Sequence, residues 1–286
     1  MKYKFSGHET FACRALWLKK GIDYVLQEKA FNSEESIIDL GVGKNMVTSI
    51  SFWLKAFGLM TEDNKLTEIG RSIFSEDGFD PYIEDIGTLW LLQYLIVKQE
   101  FASIYPILFI DYRKEKKEFT IDSLKEYLEL RLEKDQFTLN PKSLEKDIRV
   151  CFKNYLVEKS SKTNIEEEYS NVLLDLELIY KIPRTENGIS FYQLNITDGK
   201  RVPKLIFLYC LLDFIGEERA INMESIEKLL GGAFAITKTG IFQIINELTE
   251  LHPDKLVYTE DGGLKQLQLK EDLDKDAILR EYYNGK

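Results

Sequence analysis

The chain has 286 residues, 44% hydrophobic and 30% charged, which is ample apolar material for about two soluble domains. No uninterrupted apolar run is long enough to span a bilayer. A net charge of −10 excludes a protein that coats nucleic acid through a broad basic surface, so any such site must be a local cationic patch.

The opening Met1-Lys2-Tyr3-Lys4-Phe5 lacks the apolar core of a secretory signal, and the expected compartment is the cytoplasm. Cys13, Cys151 and Cys210 are odd in number and unpaired in spacing. They fit small buried residues better than a disulfide framework or a zinc site.

Phe5-Ser6-Gly7-His8-Glu9-Thr10-Phe11 sets small and polar residues between two Phe anchors. A helical pattern follows (Ala15, Leu16, Trp17, Leu18), expected to stop at Lys19-Lys20-Gly21, with a further helix over 22–28. His8, one of two histidines, can act beside Glu9 as a general base or metal ligand. The preferred reading on sequence alone is a ring that ties down the N-terminal loop through hydrogen bonds. Adjacent residues seldom point the same way in an extended chain, and a metal site needs further ligands.

Ser33 to Gly70 is the stretch around which the chain is organised. Ser33 can cap a short helix over 34–40, and Gly41 and Gly43 permit the positive φ values of a tight turn. A second helix is expected over 44–57, burying Met46, Val47, Ile50, Trp53, Leu54 and Phe57 at three-and-four spacing. Gly58 is its stop, and 59–67 reads as a small hairpin around a polar turn. Thr67 caps one more helix through Phe74. Helix, glycine turn, helix and hairpin make a winged helix-turn-helix.

The outer face of the second helix carries Lys44, Thr48, Ser51 and Lys55, with Asn45, Ser49 and Phe52 beside them and no carboxylate among them. Its polar members are donors to phosphates and base edges. The alternative is a solvated face of a helix that only packs a domain. Among the first 60 residues Lys2, Lys4, Arg14, Lys19, Lys20, Lys29, Lys44 and Lys55 outnumber the acids. Gly41-Val42-Gly43-Lys44 fails the phosphate-loop template, because Ile38 stands at the first glycine and Asn45 where Ser or Thr should hold magnesium.

Beyond a turn-rich connection at 75–81, residues 88–97 and 101–112 read as buried helices, and 113–118 as a solvated connector. Amphipathic helices follow over 120–133 and, opened by Pro141, over 142–157. Residues 158–168 read as a loop, and 171–182 is ambiguous between helix and strand. Asn187-Gly188 marks a hairpin. Pro203 begins an apolar helix and Asn222 caps another. Gly231-Gly232 reads as a turn, Thr237 caps a helix to Leu251, and two strands flank Asp261-Gly262-Gly263. The exposed face of that last helix mixes Lys238, Thr239 and Gln243 with Glu247 and Glu250, which favours protein contact or dimerisation over DNA. The tail from Asp272 reads as a frayed helix.

The expected fold class is mainly α (α+β), with tandem winged helix-turn-helix modules joined by helices. The expected domains are an N-terminal winged helix over 1–80, a central helical domain over 81–200 with room for a degenerate winged helix, and a C-terminal winged helix over 201–286.

Three blocks carry a family resemblance: residues 5–11, Trp17-Leu18-Lys19-Lys20-Gly21, and Leu40-Gly41-Val42-Gly43-Lys44-Asn45-Met46-Val47. They resemble a bacterial family of unknown function. Its members sit beside sulfurtransferase-type enzymes in DNA phosphorothioation and phage-defence gene clusters, and its nearest functional label is a DNA nickase. The resemblance implies a protein that binds double-stranded DNA and opens or marks one strand for a sulfurtransferase partner. The alternative it leaves is a non-enzymatic adaptor that recruits the modification complex. For a nickase the sequence offers His8 as base or ligand, Glu9 as a carboxylate for Mg2+ or Mn2+, and Arg14 and Lys44 as clamps on the scissile phosphate. No PD…ExK set or paired-histidine hairpin accompanies them. Homodimerisation through the C-terminal module is a further expectation.

Overall fold

Residues 3–157 and 171–285 are described by a computed structural model, in which the chain is α+β and mainly helical, with two antiparallel three-stranded sheets. The segment expected as a loop over 158–168 lies outside the described residues. No helix among the described residues is long and apolar enough to cross a membrane. The chain divides into two compact units, Met1–Asn195 and Ile196–Lys286.

In the first unit, α1 (Ala15–Leu26) runs straight through Gly21. The expected break there is absent, because the glycine answers a packing demand. A Cβ on it would stand 2.7 Å from Ile50 and 2.8 Å from Leu54. Both belong to α3 (Lys44–Ala56), which crosses α1 at that point. Helix α2 (Ser36–Leu40) starts later than expected, after Ser33 has accepted a bond from the Ser36 hydroxyl. The small hairpin is reduced to one bridge, Met60 to Leu66, and Thr67 caps α4 (Glu68–Phe74) by accepting from Gly70 N–H. Such a cap is worth about 1 kcal/mol.

Helix α5 (Ile86–Lys98) is buried on nearly every side, matching its continuous apolar run. A short α6 (Ile104–Pro106) widens into a π-helical turn over Ile107–Asp111. Helices α7 (Ile121–Lys134) and α8 (Pro141–Lys153) pack together, burying Leu124, Leu128 and Leu132 from one and Leu144, Ile148, Cys151 and Phe152 from the other. The ambiguous stretch over 171–182 resolves into a 3-10 turn at Leu174–Leu176 followed by the start of strand β2 (Ile179–Glu186). It pairs with β3 (Ile189–Leu194) around Asn187-Gly188, both at positive φ, and β1 (Glu118–Phe119) adds to the far side of β3.

The expected boundary near residue 80 falls inside this unit. Phe52 and Trp53 of α3 pack their rings on Phe101 and Tyr105, and the Asn154 side chain accepts from Cys13 N–H. Trp53, Phe57 and Ile50 are fully buried, each worth about 1.5–3 kcal/mol of transfer free energy.

The second unit centres on α9 (Lys204–Ile215), flanked by α10 (Met223–Ala233), α11 (Lys238–Leu251) and α12 (Lys275–Asn284). Gly231 and Gly232 form the last turn of α10 and do not break it. The tail is a packed helix, burying Ile278, Leu279 and Tyr282. Strands β5 (Leu256–Asp261) and β6 (Leu264–Leu269) turn at Gly262-Gly263 as expected, and β4 (Ala220–Asn222) joins the other edge of β6.

Candidate nucleic-acid interface

Gly41 ends α2 in the left-handed region at φ +63, whereas Gly43 is extended at φ −67 and serves as the N-cap of α3. Only the first of the two glycines therefore needs positive φ. From this turn α3 presents Lys44, Asn45 and Thr48 to solvent, with Ser51 and Lys55 half-buried at its edge.

Ser49 does not reach the surface. It is fully buried and its hydroxyl donates to the His8 carbonyl at 3.1 Å; Phe52 is buried beside it. The physical reason is that α3 is covered on two sides. Ile50 and Leu54 meet α1, while Ser49, Phe52 and Trp53 meet the N-terminal loop and the helices beyond residue 100. The outward stripe is narrower than the one-face reading assumed.

Within that stripe the Lys44 ammonium has no partner among the described residues, and Lys55 donates to the Glu62 carbonyl at 3.2 Å. Three other lysines of the first unit are matched with acids: Lys29 with Asp39 at 2.9 Å, Lys65 with Asp63 at 3.2 Å, and Lys19 with Asp23 at 2.5 Å. A hydrogen bond from Thr61, then Lys65, holds the Asp63 carboxyl below the usual range. Arg14 lies off α3, with its guanidinium 5.2 Å from the Trp17 ring and its backbone bridged to Asn171.

His8 is 5% exposed. Its ring stacks on Trp53 and meets Phe52 edge-on, with centroids 6.1 and 5.5 Å away. Nε2 lies 3.0 Å from Asp147 Oδ1, and Nδ1 accepts from Thr10 N–H at 3.3 Å. Accepting at Nδ1 places the proton on Nε2, which donates to the carboxylate. Asp147 also accepts from Ser6 N–H at 2.8 Å. Glu9 is exposed at φ +49 and does not converge with His8. The two residues expected as a catalytic pair are therefore not brought together. The ring does what the preferred reading described and ties down the loop.

The loop is conformationally costly. Ser6, Glu9 and Thr10 sit at φ +63, +49 and +77 around Gly7 at +99, and left-handed non-glycine residues cost of order 1–3 kcal/mol each. A Cβ on Gly7 would stand 2.7 Å from the Phe52 ring. Among the described residues no group of three or more His, Cys, Asp or Glu side chains is placed to hold a metal ion. The His8–Asp147 donor set is already engaged and does not fit a divalent ion. All three cysteines are buried, and burial alone pushes the Cys13 thiol well above its ordinary range.

Asp147 is the residue that sequence reasoning missed. A signal for it existed: it stands on the stripe of Leu144, Ile148 and Cys151, where an acid is out of place unless partnered. Nothing local pointed to a partner 139 residues away.

The family described as "Protein of unknown function (DUF4007)" matches residues 5–283. None of the curated proteins matches the chain. Two solved structures share its fold. "Magnesium ion-bound SspB crystal structure" is similar with a TM-score of 0.82 at 25% identity, over 99% of this chain and 88% of that one. "SspB crystal structure" is similar with a TM-score of 0.80 at 24% identity, over the same shares.

Proposed function

Because the chain belongs to the DUF4007 family of proteins of unknown function and is similar to SspB over nearly its whole length, we propose that it is a DNA-binding component of a bacterial DNA phosphorothioate-modification and phage-defence system. The observation that carries this reading is the outer stripe of α3: Lys44 unpaired, Asn45 and Thr48 exposed, Lys55 at its edge, and no carboxylate within it. We read residues 15–70 as a winged helix-turn-helix in which α3 is the recognition helix. Lys44 and Lys55 contact phosphates, while Asn45, Thr48 and Ser51 face the groove. Arg14 adds a phosphate contact outside α3. Sulfurtransferase-type modification proteins are the partners, and the second unit, read as a further winged helix, meets protein. Two lysines on or beside its α11 are paired with acids, Lys238 with Glu227 and Lys204 with Glu247.

The geometry favours the non-enzymatic adaptor as the form of this function, because His8 is occupied and Glu9 stands apart. Strand nicking with Mg2+ or Mn2+ is the second reading, favoured by the likeness to a magnesium-bound SspB. Supercoiled plasmid incubated with either ion separates the two: relaxation to the nicked form supports the second, and unchanged plasmid the first.

The binding claim is tested by fluorescence anisotropy on a duplex oligonucleotide over a salt series. Lys44→Glu is expected to weaken binding and to reduce the slope of log K against log salt by about one, the loss of one phosphate contact. Affinity indifferent both to salt and to this substitution overturns the reading.

A further inference from the structure

We propose that His8 is a positioning residue, and that the loop over residues 5–11 is a clasp joining α3 to α8 so that the outer stripe of α3 is presented in one register. The inference rests on the reading of that stripe as the DNA-facing surface, and it assigns the most distinctive stretch of the sequence a role that is neither catalytic nor metal-binding.

Each side of the clasp is made by different groups. Toward α3, Ser49 Oγ donates to the His8 carbonyl and Trp53 Nε1 donates to the Phe11 carbonyl, both at 3.1 Å. The Phe52 ring fills the space against Gly7 that a side chain would occupy. Toward α8, the buried Asp147 accepts from Ser6 N–H and from His8 Nε2. The imidazole is the hinge between the two sets, since its face lies on Trp53 while its edge reaches Asp147.

Helical geometry makes this consequential. Successive residues on α3 are separated by 100° of rotation, so buried Ser49 and exposed Thr48 are adjacent in sequence yet face different surroundings. Rolling α3 in either sense carries Ser49 and Trp53 away from the loop, so it must first break their bonds to the His8 and Phe11 carbonyls. The left-handed backbone at Ser6, Glu9 and Thr10 supports the same view. Conformations of that kind persist where the surroundings over-determine them, and they gather at working surfaces.

The test uses the full-length chain carrying His8→Ala, His8→Gln or Ser49→Ala. Gln keeps an N–H donor where Nε2 stood, and Ser49→Ala removes only the bond to the His8 carbonyl. Two readouts are taken: affinity for a duplex oligonucleotide at fixed salt, and hydrogen exchange of the α3 amides against those of residues 196–286. Loss of a buried hydrogen-bonded group predicts about a tenfold or greater loss of affinity for His8→Ala, with faster exchange confined to the first unit and strongest in α3. His8→Gln should recover most of both. Ser49→Ala should show the same pattern at smaller amplitude, and it decides the matter should His8→Ala fail to fold. Unchanged α3 exchange in the variants overturns the clasp. So does α3 loosened with affinity intact, and so does plasmid nicking abolished by His8→Ala with affinity and exchange intact, which would make His8 a catalytic group. A wild-type chain without duplex affinity defeats the DNA reading alone, because the exchange comparison still judges the clasp.

Discussion

At Gly21, a missing side chain decides how two helices meet. Its α-carbon lies so close to Ile50 and Leu54 that a methyl group there would overlap both. Gly21→Ala is therefore expected to destabilise the chain by about 1–3 kcal/mol despite the better helix propensity of Ala, read as a lowered urea midpoint. The neighbouring lysines made the same residue look like a helix stop, since cations followed by glycine are a genuine end signal. Packing overrode propensity at this position. His8 and Asp147 teach a related lesson. The polar character of each was legible along the chain, and the pairing was not, because hydrogen-bond partners far apart in sequence leave no mark on either neighbourhood.

Along the turn between α2 and α3, two glycines of similar appearance carry different burdens. Gly41 occupies the left-handed region with nothing near it, so Gly41→Ala meets only backbone strain and should cost about 1–2 kcal/mol. Gly43 is extended, and there the lost N-cap preference and the reduced unfolded-state entropy nearly offset, so Gly43→Ala should change stability by about 0.5 kcal/mol or less. Thermal or urea unfolding of the two variants ranks them. A ranking in the opposite order would contradict the turn geometry. The periodicity of α3 was legible as an amphipathic helix, and its inner residues Val47, Ile50, Trp53, Leu54 and Phe57 are buried as read, while Met46 is only half-buried. What periodicity could not show was the second covering at Ser49 and Phe52, because one-dimensional spacing assumes a single buried face.

For the molecule as a whole, an acidic chain carries a small cationic stripe on its first unit, while the second unit pairs Lys204 and Lys238 with its own acids. We expect that second unit to mediate homodimerisation through the exposed face of α11 and its hairpin, where Phe242 lies against Tyr258 and Leu264 is exposed. Light scattering on the wild-type chain should report twice the mass of one chain, and Phe242→Asp should return it to one. A wild-type monomer at tens of micromolar, on the order of a weak dimer's dissociation constant, would overturn this expectation.

The sequence by itself determined the helical class, the caps at Thr67, Asn222 and Thr237, both hairpin turns, and the inner face of α3. Each of these depends on residues within a few positions of one another, where propensity and periodicity act. Only the tertiary structure decided that α1 runs unbroken and that residues 3–80 share a core with residues beyond 100. It alone showed that His8 faces inward to Asp147 while Glu9 faces water. Those outcomes follow from close packing and from the need of a buried carboxylate for donors, both of which act between groups that meet only after the chain has folded.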